Sequence, residues 1–319
     1  MNDLMNQKIV ALGGGHGLAA TLSALRPITE AITAVVTVAD NGGSSGRLRD
    51  EFAILPPGDL RMALAALCSD DEWGRSWSDI VQYRFSSEGP LDGHPIGNLL
   101  LAALWNKDPD PVAGLDRVAG LLRVVGRVLP MASVPLDIEA TFQTSVGRVV
   151  VRGQKEVATA KGKLESLKIL PENARSRPEV LSALAQADWI TMGPGSWFSS
   201  VLPHLLVEDQ CKALVESSAK KIIILNLDAH PSSVGDEYAG YTAEDHLELI
   251  TRYASHMRCE FVIADASVVR DRFALETATS RLGGRLVVAD LRIAPGSVHH
   301  DIKKLTSVIG HIINESLIG

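Results

Sequence analysis

Apolar positions follow two different periods along this chain. Lys8-Ile9-Val10-Ala11-Leu12 is a short apolar run that stops at three glycines, the pattern of a buried strand. Leu18, Thr21, Leu22 and Leu25 then recur at helical spacing until Pro27 ends them. Residues 32–38 predict a second strand, ending at Asp40-Asn41-Gly42-Gly43. Strand, glycine turn, helix, strand is a βαβ unit, and a parallel sheet needs such crossovers.

Between residues 57 and 125 the spacing is mainly helical, with Leu60, Leu64 and Leu67 on one face. Ile96, Leu99, Leu100, Ala103 and Leu104 form a second face, and Leu115, Val118, Leu122 and Val125 a third. Over residues 128–151 the period becomes two, with Val134, Leu136, Ile138, Ala140 and Phe142 on one side, which predicts antiparallel strands. Residues 162–173 predict another extended piece. The βα alternation returns at residues 188–192, continues through 221–227 and 260–264, and ends in a helix over 302–317. The two α/β stretches are expected to build one mostly parallel sheet. The chain then reads as a single α/β domain over residues 1–319, with helices and antiparallel strands of roughly 57–175 inserted into it.

Composition narrows the function classes. With 46% apolar residues in 319, a large core is expected. The net charge of −7 and the lack of a long basic run argue against a dedicated nucleic-acid binder. Cys68, Cys211 and Cys259 lie far apart, so neither a disulfide framework nor a cysteine zinc site is expected, and a reducing cytoplasm is the natural home. Residues 1–7 lack the layout of a signal peptide, and no stretch of about 18 charge-free apolar residues predicts a membrane span.

Ligands of open parallel sheets bind beyond the carboxyl ends of the strands, and four strand ends here carry unusual loops. Gly13-Gly14-Gly15-His16-Gly17 offers amide donors and a helix N-terminus to a phosphate; the plainer reading is a tight turn with no ligand. It also fits a dinucleotide fingerprint loosely, with Asp40 as ribose acceptor, while the Walker pattern is absent. A nicotinamide dehydrogenase is the weaker reading, because ribose recognition does not need the Gly-Gly-Ser-Ser that follows. Asp40-Asn41-Gly42-Gly43-Ser44-Ser45-Gly46-Arg47-Leu48-Arg49 mixes amide and hydroxyl donors with two guanidinium forks, an anion nest in composition. Gly42-x-Ser44-x-Gly46 also resembles a hydrolase nucleophile elbow.

In Pro57-Gly58-Asp59-Leu60-Arg61, Asp59 is either a helix cap or a site carboxylate, and Arg61 reaches a phosphate or an acid. His94 and Asn98 are four apart and share a helical face. Gly193-Pro194-Gly195-Ser196 repeats the strand–glycine–helix logic, with Ser196 as cap or phosphate donor and Trp197 and Phe198 as core. Asn226 ends another strand, where it could read a base or sugar hydroxyl, and Thr242 with Asp245 predicts a capping box. His299-His300 reads as a surface pair rather than a metal site.

These loops resemble one known family. Gly13 to Leu18, Val36 to Arg49, Leu55 to Arg61, Gly93 to Leu100 and the Gly193-Pro194-Gly195-Ser196 turn are similar to those of the YvcK-type proteins, also called gluconeogenesis factors. That group belongs to the superfamily of the 2-phospho-L-lactate transferase CofD, and the resemblance runs from about residue 8 to 317. It implies a modified Rossmann-like three-layer α/β/α core that binds nucleotides. YvcK-type members are cytoplasmic proteins that bind UDP-sugars, notably UDP-N-acetylglucosamine. They support cell shape and wall synthesis on gluconeogenic carbon sources, with no firmly attached catalytic activity. Protein partners in wall synthesis and a homo-oligomer belong to the same expectation; a membrane or nucleic-acid partner does not. The transferase branch instead moves a phospholactyl group onto a deazaflavin alcohol with magnesium.

The ligand-binding residues so implied are Gly14, Gly15, His16, Gly17, Asp40, Asn41, Gly42, Gly43, Ser44, Ser45 and Arg47, then Gly58, Asp59, Arg61, His94 and Asn98. Gly193, Pro194, Gly195, Ser196 and Asn226 complete them, with no catalytic residue and no metal ligand assigned. Magnesium is expected only together with a bound nucleotide. Three departures from the family pattern stand out. His16 replaces a threonine of the first loop, Asn41 replaces the second acid of an Asp-Asp pair, and residues 227–233 replace a Met-Thr-Gln-Pro-Gly-Glu-Thr run. The second leaves one carboxylate fewer for a divalent cation.

Overall fold

A computed structural model describes residues 2–227 and 241–318. Its main sheet draws on strands from both ends of the chain: β1 (Ile9–Gly13), β2 (Ile32–Val36), β3 (Arg127–Pro130), β7 (Trp189–Met192), β8 (Lys220–Ile224), β9 (Phe261–Asp265) and β10 (Arg285–Ala289). All pair in parallel, in the order β10-β9-β8-β7-β1-β2-β3. Successive side chains of a strand point to opposite faces, and all five residues of β1 are buried. Helices must therefore cover both faces, which is why β1 reads as an unbroken apolar run.

β1 pairs with β2 on one side, Ile9 opposite Ile32, and with β7 on the other, Ile9 opposite Trp189. From β1 the order runs outward to β2 and β3 in one direction, and to β7, β8, β9 and β10 in the other. The strand order thus reverses between β1 and β7, and the loops leaving those two strands diverge to open a crevice.

Helix Gly15–Leu25 packs its Leu18, Leu22 and Leu25, each at most 1% exposed, into the core. Each such side chain contributes about 1.5–3 kcal/mol. Helices Pro57–Ala66 and Ile302–Ile318 flank this helix, and Thr306 Oγ1 donates to the Ala24 carbonyl at 3.0 Å. Among the described residues, no helix is long and apolar enough to cross a membrane.

The inserted stretch departs from expectation at its start. β3 (Arg127–Pro130) returns to the parallel sheet beside β2 instead of opening an antiparallel one. Val134 is 39% exposed and lies outside any strand. The antiparallel sheet begins later, with β4 (Asp137–Thr144), β5 (Gly147–Arg152) and β6 (Lys163–Leu170) in the order β5-β4-β6. Ile138, Ala140 and Phe142 form its buried face. The edge of β6 is closed by side chains: Tyr241 Oη accepts from the Leu164 amide at 2.9 Å, and Tyr253 Oη accepts from the Leu167 amide at 2.8 Å.

Two more elements depart from the pattern. The donor-rich stretch after β2 is not a loop, because residues 43–52 form helix Gly43–Phe52. β10 is a half-buried edge strand that the periodicity did not announce. The capping box of Thr242 and Asp245 is present, opening helix Ala243–Tyr253.

Candidate functional site

The crevice between β1 and β7 holds a cavity of about 630 Å³. One wall is the turn after β1. The Gly14 N-cap of helix Gly15–Leu25 has extended backbone and no side-chain cap of its own; Asp59 takes the Gly15 amide, which leaves the next amides of this eleven-residue helix for a ligand. Glycine is required here by close approach. A Cβ on Gly14 would lie 2.5 Å from both Asp59 Oδ2 and Thr37 Cγ2, and one on Gly17 would lie 2.2 Å from the Pro194 carbonyl oxygen. The turns after β1 and β7 therefore interlock backbone to backbone. Thr21 Oγ1 donating to the Gly193 carbonyl at 3.0 Å and Thr37 Oγ1 donating to the Ser199 carbonyl at 2.9 Å tie the second turn down.

The second wall carries two carboxylates. Asp40 Oδ1 accepts from the Gly42 amide at 2.9 Å. Asp59 sits in the first turn of helix Pro57–Ala66, whose N-cap is Pro56 without a side-chain bond, so Asp59 is no cap. Its carboxylate accepts from the Gly15 amide instead and faces the cavity. Burial, then the charge of Asp40, push its pKa up to about 7, against the smaller opposing pulls of the Gly15 amide and Arg61.

Gly14, Gly15, His16, Gly17, Asp40, Asp59, Pro194, Gly195, Ser196 and Asn226 all line the cavity. Ser196 is the cap that its position predicts, accepting from the Ser199 amide at 3.2 Å. Asn226 Oδ1 accepts from the Leu227 amide at 2.8 Å, and residues 228–233 of the expected loop lie outside the described residues. Trp197 and Phe198 are buried, Trp197 stacking on His246 at 4.7 Å between ring centroids.

Other candidates sit behind the cavity, where they hold its walls. Arg61 Nε donates to Asn98 Oδ1, Asn98 Nδ2 donates to Ser44 Oγ, and Ser44 Oγ meets His94 Nδ1, each at 3.0 Å. Burial keeps the His94 ring below its ordinary pKa; with Asn98 donating to Ser44 Oγ, the Ser44 hydroxyl proton is free for His94 Nδ1 in the tautomer that satisfies both groups. Ser44 is 8% exposed and committed on both sides, which is not the posture of an elbow nucleophile. Ser45 Oγ accepts from the Gly58 amide at 3.0 Å. Asn41 Oδ1 accepts from the Gln154 amide at 3.3 Å, and Gln154 itself reaches the cavity. Arg47 donates to the carbonyls of Asp92 at 2.8 Å and Pro90 at 3.3 Å, and Arg49 pairs with Asp137 at 2.5 Å. Both guanidinium forks fasten helix Gly43–Phe52, whose first turn contains Gly43, to neighbouring segments.

Among the described residues, neither lysine nor arginine lines the cavity. The positive charge that offsets Asp40 and Asp59 there comes from the helix N-terminus and from cations set further back. His16 registers these: burial first, then His299, Arg61 and Arg84, hold its pKa below the ordinary value. The periodicity missed Ser200, Met62 and the far wall of Val298, His299, His300 and Ile302. His300 is 7% exposed, so the adjacent histidines are not a surface pair, and only His299 faces solvent. Beyond His16, Ala19, Ser23 and Met62 the cavity continues into a polar groove of about 460 Å³ that ends at Arg26 and Arg75.

Comparison with known proteins agrees with the fold. A family model described as "2-phospho-L-lactate transferase CofD" matches residues 9–302. A Mycobacterium tuberculosis protein named "Putative gluconeogenesis factor" is 46% identical over 312 residues, covering 96% of this chain and 90% of that one. The "Gluconeogenesis factor" of Bacillus subtilis is 39% identical over 255 residues, covering 80% and 76%. A crystal structure of a Bacillus halodurans protein, described as a member of the UPF0052 family, is similar with a TM-score of 0.80 at 31% identity, covering 96% of this chain and 99% of that one.

Proposed function

Because the chain belongs to the CofD family and aligns along nearly its whole length with proteins named gluconeogenesis factor, we propose that it is a cytoplasmic regulatory protein that binds a UDP-sugar. UDP-N-acetylglucosamine is the first candidate, and the output is cell shape and wall synthesis during gluconeogenic growth, relayed to protein partners of wall synthesis. One observation carries this reading: a helix N-terminus whose glycine N-cap offers no side chain opens into a roomy cavity at the point where the strand order reverses. The diphosphate lies on the amides of residues 16 and 17 and against the turn at 193–196, and the adjoining groove leaves room for the sugar. A net charge of −7 does not oppose this, because binding needs positive potential only locally. Isothermal titration calorimetry with UDP-N-acetylglucosamine is expected to give micromolar binding; no heat with any UDP-sugar would remove the reading.

Asp40 and Asp59 favour a second reading, transfer of a phospholactyl group to a deazaflavin alcohol. Two carboxylates on one cavity, one with its pKa raised to about 7 partly by the charge of the other, fit a magnesium ion beside phosphate, which uses one or two carboxylates. Asp40 and Asp59 would hold that ion, and its chemistry is to neutralise phosphate charge. Incubation with a nucleotidyl-lactate donor, a deazaflavin acceptor and magnesium tests it: product supports transfer, and no turnover by a chain that binds UDP-sugar dismisses it.

A further inference from the structure

We propose that His300 reads an uncharged donor group of the ligand, its Nε2 accepting a hydrogen bond from a hydroxyl or imide N–H; this rests on the UDP-sugar reading above. Nucleoside and sugar both carry such donors, and the diphosphate carries none.

The ring is held in place by a small hairpin. The Asp301 amide donates to the Leu291 carbonyl at 2.7 Å, the Ile293 amide donates to the His299 carbonyl at 3.2 Å, and Arg292 and His300 face each other across the two arms. The hairpin is anchored over the carboxyl ends of β8 and β9. Buried Asp265, at the end of β9, accepts from the Leu291 amide at 2.6 Å. Arg292 bonds Ser267 Oγ at 2.7 Å and the Leu227 carbonyl. The imidazole adds one bond of its own to that anchoring, to the Leu225 carbonyl just after β8.

His300 is more than nine-tenths buried and lines the cavity beside Asn226. Its ring bonds the Leu225 carbonyl, and among the described residues its buried Nε2 has no hydrogen-bond partner. Burial, the largest influence, brings the ring's pKa down to about 4, so it is neutral near pH 7. A neutral imidazole has one proton. The Leu225 carbonyl takes it, which leaves Nε2 as an acceptor. An acceptor repels phosphate oxygens and welcomes O–H or N–H. Nε2 has almost no water-accessible surface, so a donor reaches it only as the ligand settles against the ring; left unpaired it is costly, so the site also rejects ligands lacking the donor.

Calorimetry with UDP-N-acetylglucosamine, UDP and inorganic pyrophosphate on the wild-type chain, His300→Ala and His300→Gln tests this. His300→Ala is expected to weaken UDP-N-acetylglucosamine by about tenfold or more. His300→Gln, which restores an acceptor, recovers most of that affinity, and pyrophosphate is unaffected. A matching loss for UDP assigns the donor to the nucleoside; a loss confined to UDP-N-acetylglucosamine assigns it to the sugar. Either supports the proposal. If the alanine variant does not fold, His300→Phe keeps the ring volume and deletes the acceptor, with the same losses expected. An equal loss for pyrophosphate, or unchanged UDP-N-acetylglucosamine affinity on a chain whose wild type binds it, overturns this inference alone. A wild type that binds none of the three overturns the UDP-sugar reading, and this inference with it.

Discussion

Gly17 lies so close to the Pro194 carbonyl that a single added carbon would come within 2.2 Å of its oxygen. Both partners are backbone, so neither can swing aside. Gly17→Ala is expected to destabilise the chain by about 1–3 kcal/mol and to weaken UDP-sugar binding, since the two turns that form the crevice must part. Gly120, in helix Pro111–Leu122 with nothing within 4 Å of an added carbon, is the control. Gly120→Ala should stabilise by about 0.5–1 kcal/mol and leave binding untouched. Urea melts and calorimetry on both variants check the pair.

Asp59 gives stability a distinct pH dependence. Its pKa rises from the ordinary 3.8 to about 7 in the fold, so between those values the folded chain binds more protons than the unfolded one. Its contribution therefore falls as pH rises from about 4 to about 7 and is level above that. Asp59→Asn cannot ionise. The variant should gain on the wild type between pH 5 and pH 8, read as a difference in urea midpoints at the two pH values. A constant difference would contradict the raised pKa.

The chain of bonds from Arg61 through Asn98 and Ser44 to His94 should behave as a unit. Asn98→Leu removes two bonds and leaves the Arg61 Nε donor unpaired, at a cost of about 2–3 kcal/mol. Ser44→Ala should cost about 1–2 kcal/mol. The double variant should fall short of the sum by about 1 kcal/mol, because each substitution has already broken part of the same chain. Denaturant unfolding of all three variants measures the shortfall.

Tyr253 closes the edge of the small sheet through its hydroxyl. Tyr253→Phe keeps the ring but frees the Leu167 amide, for a loss of about 1 kcal/mol. Hydrogen exchange should locate the effect: the amides of β6 exchange faster, while those of β1 are unchanged.

Much of this architecture was legible because local chemistry and tertiary role coincide. β1 is buried on both faces, so its apolar run and glycine stop announced both the strand and the cavity wall beside it. The helix after β2 was hidden for the opposite reason. Gly43, Ser44, Ser45 and Gly46 are poor helix formers, and tertiary bonds from Ser44, Ser45, Arg47 and Arg49 hold them in a helix. Those residues drew notice through their donor groups, and most of the groups are spent on neighbouring segments rather than on the cavity. β3 escaped because four residues hold too few alternations to separate a parallel strand from an antiparallel one. His300 escaped because its burial depends on where the hairpin lands, about which two adjacent histidines carry no local signal.

The pairing of β1 with β7 also orders events in time. Ile9 meets Trp189 across a sequence separation of 180 residues, while its other neighbour, Ile32, arrives early. During synthesis β1 and β2 leave the ribosome long before Trp189 exists, with one flank of β1 bare. The nascent chain thus carries the glycine turn after β1 for most of its elongation without the facing half of the crevice. On the UDP-sugar reading, affinity would come into being only when β7 closes that flank, and a chain stopped short of it would be an aggregation hazard rather than a weak binder.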